Sequence, residues 1–111
     1  MIQIIGTKKC KETAKAIRTC KEQRLEYQFV DLTERALSEG EWRSVFQGYE
    51  PLSLIDSQSS YYTKEGYAFR EFDPQEELKE HPQLLKTPIL RSKGRVHVGF
   101  SVDILTSWGT N

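Results

Sequence analysis

Two cysteines and two histidines carry most of the chemistry open to this 111-residue chain. Cys10 follows the run Ile2-Gln3-Ile4-Ile5-Gly6 and a Thr7-Lys8-Lys9 loop, and it stands where a helical period begins. A thiolate at a helix head faces backbone N–H groups without intrahelical partners and the positive end of the helix dipole. Thr13, three residues on, adds an N–H and a hydroxyl within reach. Residues 1–25 hold seven Lys+Arg against Glu12 and Glu22, net +5. Each of these favours ionised sulfur, the nucleophilic form, so Cys10 is expected to titrate below the free value of about 8.5. Cys20 lies ten residues further along the same helix, ~15 Å away at the usual rise, whereas a disulfide needs Cα atoms within ~7 Å. It shares a stripe with Ile17 and reads as a small buried hydrophobe. Chemistry at Cys10 is therefore monothiol, completed by an external thiol such as glutathione.

Metal chemistry finds little support. No H-x-x-x-H or C-x-x-C occurs, and two cysteines cannot build a four-ligand zinc site, so no metal is expected. His97 in a strand and His81 before Pro82 read as structural, and Glu76-Glu77 read as first-turn helix acids rather than an acid/base pair. Lys11, Lys15 and Arg18 read as a solvated helix face. Residues 65–80 hold six acids and two bases, net −4, among Tyr61, Tyr62, Tyr67, Phe69 and Phe72. That is the wrong sign for nucleic acid, so those rings are expected to pack the insertion against the sheet rather than to stack on bases.

The elements that position Cys10 follow from hydrophobic period. Residues 2–5 are β-branched and closed by Gly6, as a short buried strand would be. From Cys10 to about Arg24, Thr13, Ala16, Ile17 and Cys20 recur at i, i+3, i+4 and i+7, which predicts a helix. A second strand is expected around Glu26–Asp31. Strand, helix, strand makes a βαβ unit with parallel strands. Ser38 and Glu41 have capping-box spacing ahead of Trp42, Val45 and Phe46, although Ala36 and Leu37 would also suit a helix starting near Glu34. The stretch Leu52–Asp73 has little clean period. Asp73-Pro74 opens another short helix, stopped or bent at His81-Pro82. Thr87–Arg91 and Val96–Gly99 read as strands of a hairpin turning at Ser92–Arg95, and Ser101 caps a last helix ending near Gly109.

The order β-α-β, helical insertion, β-β-α predicts an α/β, thioredoxin-like fold. The whole chain, 1–111, is expected as one domain with a helical insertion at about 34–83. Lys+Arg and Asp+Glu balance at 16 each, so no global field draws the chain to nucleic acid or an anionic membrane. The apolar run near the start is too short for a signal peptide or a membrane span. A soluble, cytoplasmic protein is expected, with neither direct nucleic-acid nor membrane binding.

The motifs Ile4-Ile5-Gly6-Thr7-Lys8-Lys9-Cys10 with Lys15-Ala16, Leu54-Ile55-Asp56, His81-Pro82, Leu85-Lys86-Thr87-Pro88-Ile89-Leu90 and Val98-Gly99-Phe100 keep their order and approximate spacing over nearly the whole chain. Together they resemble the arsenate reductase (ArsC-like) family, which also contains the Spx regulators and a branch of small uncharacterised proteins. The resemblance implies a thioredoxin-like sheet with a helical insertion. It also implies a nucleophile at Cys10 and a cis Pro88 whose neighbour Thr87 offers its backbone to substrate. Family enzymes attack arsenate with this cysteine, then use glutathione and glutaredoxin. They hold the oxyanion with arginines that this chain lacks: Thr87 precedes the proline, the segment Leu54–Ser59 reads Leu-Ile-Asp-Ser-Gln-Ser, and Gly99-Phe100 stands at the third position. Charge-assisted hydrogen bonds contribute roughly 1.5–3 kcal/mol each, so arsenate is not the expected substrate.

Two functions are carried forward. The first is a glutathione- or thiol-dependent monothiol oxidoreductase with Cys10 as nucleophile, Thr13, Thr87 and Pro88 around its thiol or disulfide substrate, and no bound cofactor. Its substrate partner would be a small thiol or a protein thiol or disulfide. The second is an Spx-like, non-catalytic module that binds a protein partner. Many Spx proteins switch through C-x-x-C, whereas position 13 here is threonine.

Overall fold

The computed structural model describes residues 1–109. Four strands form one sheet: β1 (Ile2–Gly6), β2 (Tyr27–Asp31), β3 (Ile89–Ser92) and β4 (Arg95–Val98), in the order β2-β1-β3-β4. β1 and β2 are parallel, while β1–β3 and β3–β4 are antiparallel. Around them lie α1 (Lys11–Glu22), which joins β1 to β2, and α5 (Val102–Gly109), which follows β4. This is the thioredoxin-like arrangement that the element order predicts. No helix among the described residues is long and apolar enough to cross a membrane.

The chain divides into two compact units, residues 1–35 with the chain from Thr87 onward, and residues 36–86. In the first, Ile2, Ile4, Ala16, Cys20, Leu90 and Leu105 form a core with no solvent exposure, and Ile17, Leu25, Tyr27, Phe100, Ile104 and Trp108 pack against it. Each buried Ile or Leu contributes about 1.5–3 kcal/mol. The helical stripe read from Thr13 to Cys20 is the face of α1 that enters this core. α1 ends two residues before Arg24, because Arg24 turns left-handed (φ 57°) and the Leu25 N–H reaches back to the Cys20 carbonyl at 2.8 Å, a Schellman closure. The hairpin turns on Lys93 and Gly94, both at positive φ, as a two-residue type I′ loop requires. Ser101 caps α5 by accepting from the Ile104 N–H at 3.2 Å.

The second unit contains α2 (Glu39–Gly48), α3 (Ser60–Lys64), α4 (Pro74–Glu80) and three 3-10 turns, at Pro51–Leu54, Tyr67–Phe69 and Pro82–Leu84. The Ser38–Glu41 capping box forms in full, with bonds of 3.1 and 2.8 Å. A helix starting near Glu34 does not form. The Asp31 carbonyl instead accepts from the N–H groups of Glu34 (2.9 Å) and Arg35 (3.1 Å), closing a turn before Ser38 starts α2. The poorly patterned stretch after Leu52 wraps around Tyr67, which is 2% exposed. Tyr62 and Phe72 pack on its ring, Arg70 sits 4.0 Å from the ring centre, and its hydroxyl donates to Glu77 at 2.8 Å. Burial first, and Glu77 second, push the Tyr67 phenol up to about 12. Tyr61, Tyr62, Tyr67 and Phe72 thus pack on one another, whereas Phe69, which the sequence reading grouped with them, is 93% exposed.

Gly6 ends β1 beneath Thr13. A Cβ at Gly6 would fall inside the van der Waals envelope of the Thr13 hydroxyl and lie 2.9 Å from its methyl carbon. Gly6→Ala is therefore expected to cost about 1–3 kcal/mol, as overpacked core sites do. Urea denaturation of the variant beside the parent measures this, and an unchanged midpoint would show that the helix can shift freely off the strand.

Candidate functional site

β1 delivers the chain to a tight turn in which the Cys10 N–H donates to the Thr7 carbonyl at 3.2 Å. Cys10 has extended backbone (φ −76°, ψ 118°) and is the N-cap of α1, its carbonyl accepting from the Ala14 N–H at 3.0 Å. Because β3 runs antiparallel to β1, with Ile5 opposite Ile89, the residues entering β3 arrive at the end where β1 hands over to α1. Thr87 lies there, joined to Pro88 by a cis peptide bond. The Cys10 thiol donates to the Thr87 carbonyl with the sulfur 3.6 Å from the oxygen. Residues 77 apart in sequence therefore meet at one sulfur, which is half-buried.

Several effects compete at Cys10. Burial is the largest and pushes the thiol up. The Thr13 hydroxyl, the Thr87 hydroxyl and the backbone amides of Thr13 and Glu12 together outweigh it, and the net pKa lies below the ordinary thiol value. The contact from the thiol to the Thr87 carbonyl favours the neutral form, so ionisation exchanges that acceptor for these donors. The Thr13 side chain is placed to take part in this exchange. It is fully buried, and its hydroxyl has no hydrogen-bond partner among the described residues other than the Cys10 sulfur it can serve on ionisation. An unsatisfied buried hydroxyl costs about 1–3 kcal/mol. A thiolate gives it an anionic acceptor, which is the physical sense in which Thr13 lowers the Cys10 pKa.

Cys20 differs in every respect. It has no exposure, packs with Ile2, Ile4 and Leu90, and burial alone pushes its thiol up. Both cysteines are free. Cys10, Thr13, Thr87 and Pro88 are thus brought together at the head of α1, and Cys20 is in the core.

Asp31 escaped the sequence reading. It ends β2 opposite Gly6, is 7% exposed, and its Oδ1 accepts from the Thr33 N–H (3.0 Å) and hydroxyl (2.7 Å). Those two bonds, with a smaller contribution from Lys8, hold its carboxyl below the usual range against the opposing effect of burial. The Asp-x-Thr pattern after a strand is an Asx-turn signature and was readable as such. With Thr7, Lys8, Lys9, Thr33 and Glu34, Asp31 lines an open hollow of about 330 Å³ beside the Cys10 turn.

Arg91 and Arg95, the cations nearest in sequence to Pro88 in the terminal strands, are engaged elsewhere. Arg91 donates to Gln3 at 3.0 Å, and Arg95 lies 4.8 Å from the ring centre of Trp108. Gly99 is left-handed (φ 99°) and its N–H donates to the Pro88 carbonyl at 2.8 Å. Among the described residues, Glu77, Glu80 and His81 cluster closely enough to share a cation. Each has other work: Glu77 holds Tyr67 and Arg70, and His81 Nδ1 pairs with the Tyr61 hydroxyl at 3.0 Å while its Nε2 faces Glu80 at 3.9 Å.

The ArsC family profile matches residues 5–106. The chain belongs to the ArsC family. Among solved structures, this ArsC-family chain is similar to the YffB protein, at 20% identity and TM-score 0.83, with 99% of this chain and 100% of that one covered. It is also similar to arsenate reductase from Vibrio cholerae, at 17% identity and TM-score 0.77, with 96% of each chain covered. An arsenate reductase (ArsC) related protein from Brucella melitensis matches at 18% identity and TM-score 0.70, covering 99% and 95%. At these identities the likeness is one of fold. No curated protein sequence matches the chain.

Two pH dependences follow. Alkylation of Cys10 by iodoacetamide should reach half its maximal rate at a pH below the about 8.5 of free cysteine. Thr13→Val should move that half-point upward without lowering stability at pH values where the sulfur is a thiol. An unmoved half-point would remove Thr13 from the site. For Asp31 the folded pKa is depressed, so its stabilisation is complete above the unfolded value of about 3.9 and fades as pH falls through the folded value. Asp31→Asn should therefore be less stable than the parent at neutral pH, with the gap closing in acid. A gap that stays constant in thermal melts across this range would show that the carboxylate charge contributes nothing.

Proposed function

We propose that the chain is a glutathione-dependent monothiol oxidoreductase whose nucleophile is Cys10. The observation that carries this reading is the placement of a half-buried, ionisable sulfur at the N-cap of α1 against Thr87. The other sulfur, that of Cys20, is sealed in the core. Glutathione enters as a co-substrate, and no bound cofactor is needed.

The Cys10 thiolate attacks the glutathionyl sulfur of a mixed disulfide. A Cys10–glutathione bond forms, the original S–S bond breaks, and the substrate sulfur leaves as a thiolate that takes a proton from water. A second glutathione, as its thiolate, attacks the Cys10 adduct. Oxidised glutathione departs and Cys10 is a thiolate again: the substrate sulfur is reduced from disulfide to thiol level, the second glutathione's sulfur is oxidised from thiol to disulfide level, and the first glutathionyl sulfur stays at disulfide level throughout. Thr13 and the first-turn amides stabilise that thiolate as leaving group in the second step, and the Thr87 backbone lines the path of the incoming disulfide.

Arsenate is not the substrate in this reading. A tetrahedral oxyanion needs fixed cationic donors. The positions that carry family arginines hold Thr87, the Leu54–Ser59 segment and Gly99-Phe100 instead.

With glutathione, glutathione reductase and a small glutathione mixed disulfide, the protein should turn over. Cys10→Ser should abolish the rate to background, and Cys20→Ser should retain it if the variant folds. Arsenate should consume no reductant. Activity that survives Cys10→Ser would overturn the proposal. A parent protein that neither turns over nor forms a glutathione adduct by intact mass, yet captures a partner no better than its Cys10→Ser variant does, would leave the binding-module alternative.

A further inference from the structure

A groove of about 290 Å³ lies on the solvent side of α1, lined by Thr7, Lys8, Ala14, Ile17, Arg18 and Lys21. Ala14 and Ile17 give it apolar surface, Lys8, Arg18 and Lys21 give it three cations, and no carboxylate lines it. The acids of α1 do little to neutralise it. Glu12 pairs with Lys15, which is outside the groove, and Glu22 stands 3.9 Å from Arg18 with both side chains well exposed, a contact of little energetic weight. At its Thr7–Lys8 end the groove shares residues with the hollow that holds Asp31 and Glu34. That end is also the turn that carries Cys10.

We infer that this groove docks an acidic, partly apolar segment of a protein substrate, which presents its disulfide to Cys10. The inference rests on the oxidoreductase proposed above and names its substrate class. From the Cys10 turn to Lys21 in the last turn of α1 the groove follows the helix for ~15 Å. That is the reach of about four or five extended residues, longer than glutathione alone. Carboxylates of the segment lie over Lys8, Arg18 and Lys21, and an apolar side chain lies on Ala14 and Ile17. Charge complementarity of this kind steers encounter and fixes register more than it adds raw affinity. A polyphosphate backbone is the poorer match, because it has no use for Ala14 and Ile17, and the 16 cations of the whole chain are balanced by 16 acids.

The test separates docking from chemistry by using the full chain with Cys10→Ser. A short fluorescein-labelled peptide of Asp, Glu and Leu without cysteine is titrated by anisotropy, beside a counterpart with Lys in place of every acid. The acidic peptide should bind, the basic one should not, and rising salt should weaken binding. Arg18→Glu with Lys21→Glu should weaken it about tenfold, the sum of several exposed-pair contributions. Arg18→Gln with Lys21→Gln should fall between, which guards against a fold defect in the reversed pair. Equal binding of both peptides, or no response to either pair of substitutions, would overturn the inference. So would an oligo-dT competitor as effective as the acidic peptide, which would make the surface a phosphate binder. If the peptide docks but the parent protein turns over no disulfide, the docking surface stands and the chemistry falls. If small disulfides turn over but the peptide does not bind, the reverse holds.

Discussion

The approach of Thr13 onto Gly6 is the contact on which the site depends. A strand residue without a side chain lets the first turn of α1 lie directly on the end of β1. Thr13 is then wholly buried, and Cys10, three residues earlier, sits above the same strand end. The sheet order does the rest. β3 is antiparallel to β1 and adjacent to it, so its entrance at Thr87-Pro88 stands beside the exit of β1. Sulfur and threonine meet because a parallel βαβ unit and an antiparallel neighbour share one central strand.

The groups around the sulfur are hydroxyls and amides, with no guanidinium or ammonium among those that set its pKa. Neutral donors of this kind suit a single diffuse negative charge on sulfur. A compact oxyanion concentrates more charge and needs the stronger, bidentate donors that arginine supplies. The cations of the N-terminal segment lie on exposed surface instead, at Lys8, Arg18 and Lys21. The groups that set the ionisation of Cys10 and the exposed cations of this segment are thereby different residues. Either set can change without the other.

The sequence made much of this legible, and unevenly. The βαβ unit, the hairpin, the Ser38 and Ser101 caps and the helix opening at Asp73-Pro74 could be read because each depends on residues a few positions apart: period, capping spacing and turn type. The same local logic placed Cys10 at a helix head and Cys20 in the core. The Leu52–Asp73 stretch was opaque because its order comes from Tyr67, whose neighbours Tyr62, Arg70, Phe72 and Glu77 follow no helical or strand period. The Cys10–Thr87 contact spans 77 positions and followed only from the fold assignment. Asp31 was passed over because two helix starts competed for the residues after it. The structure shows that the Asp31 turn comes first and that Ser38 begins the helix anew.

Two sulfurs on one helix also show what half-burial accomplishes. Cys20, with no exposure and no donor, has its thiol pushed up and serves as core volume. A fully exposed cysteine would keep water as its main solvating partner and would gain little from Thr13 or from the first-turn amides. Cys10 lies between these limits. It is buried enough that desolvation is the largest single effect on it, and seated so that the summed donors exceed that effect. The balance depends on angstrom-scale placement of Thr13, which traces back to the missing side chain at Gly6. With Cys20 held ~15 Å along the helix, beyond disulfide reach, the electrons for any cycle at Cys10 come from outside the chain. The chemistry of this protein is therefore defined as much by what approaches that one sulfur as by the residues that hold it.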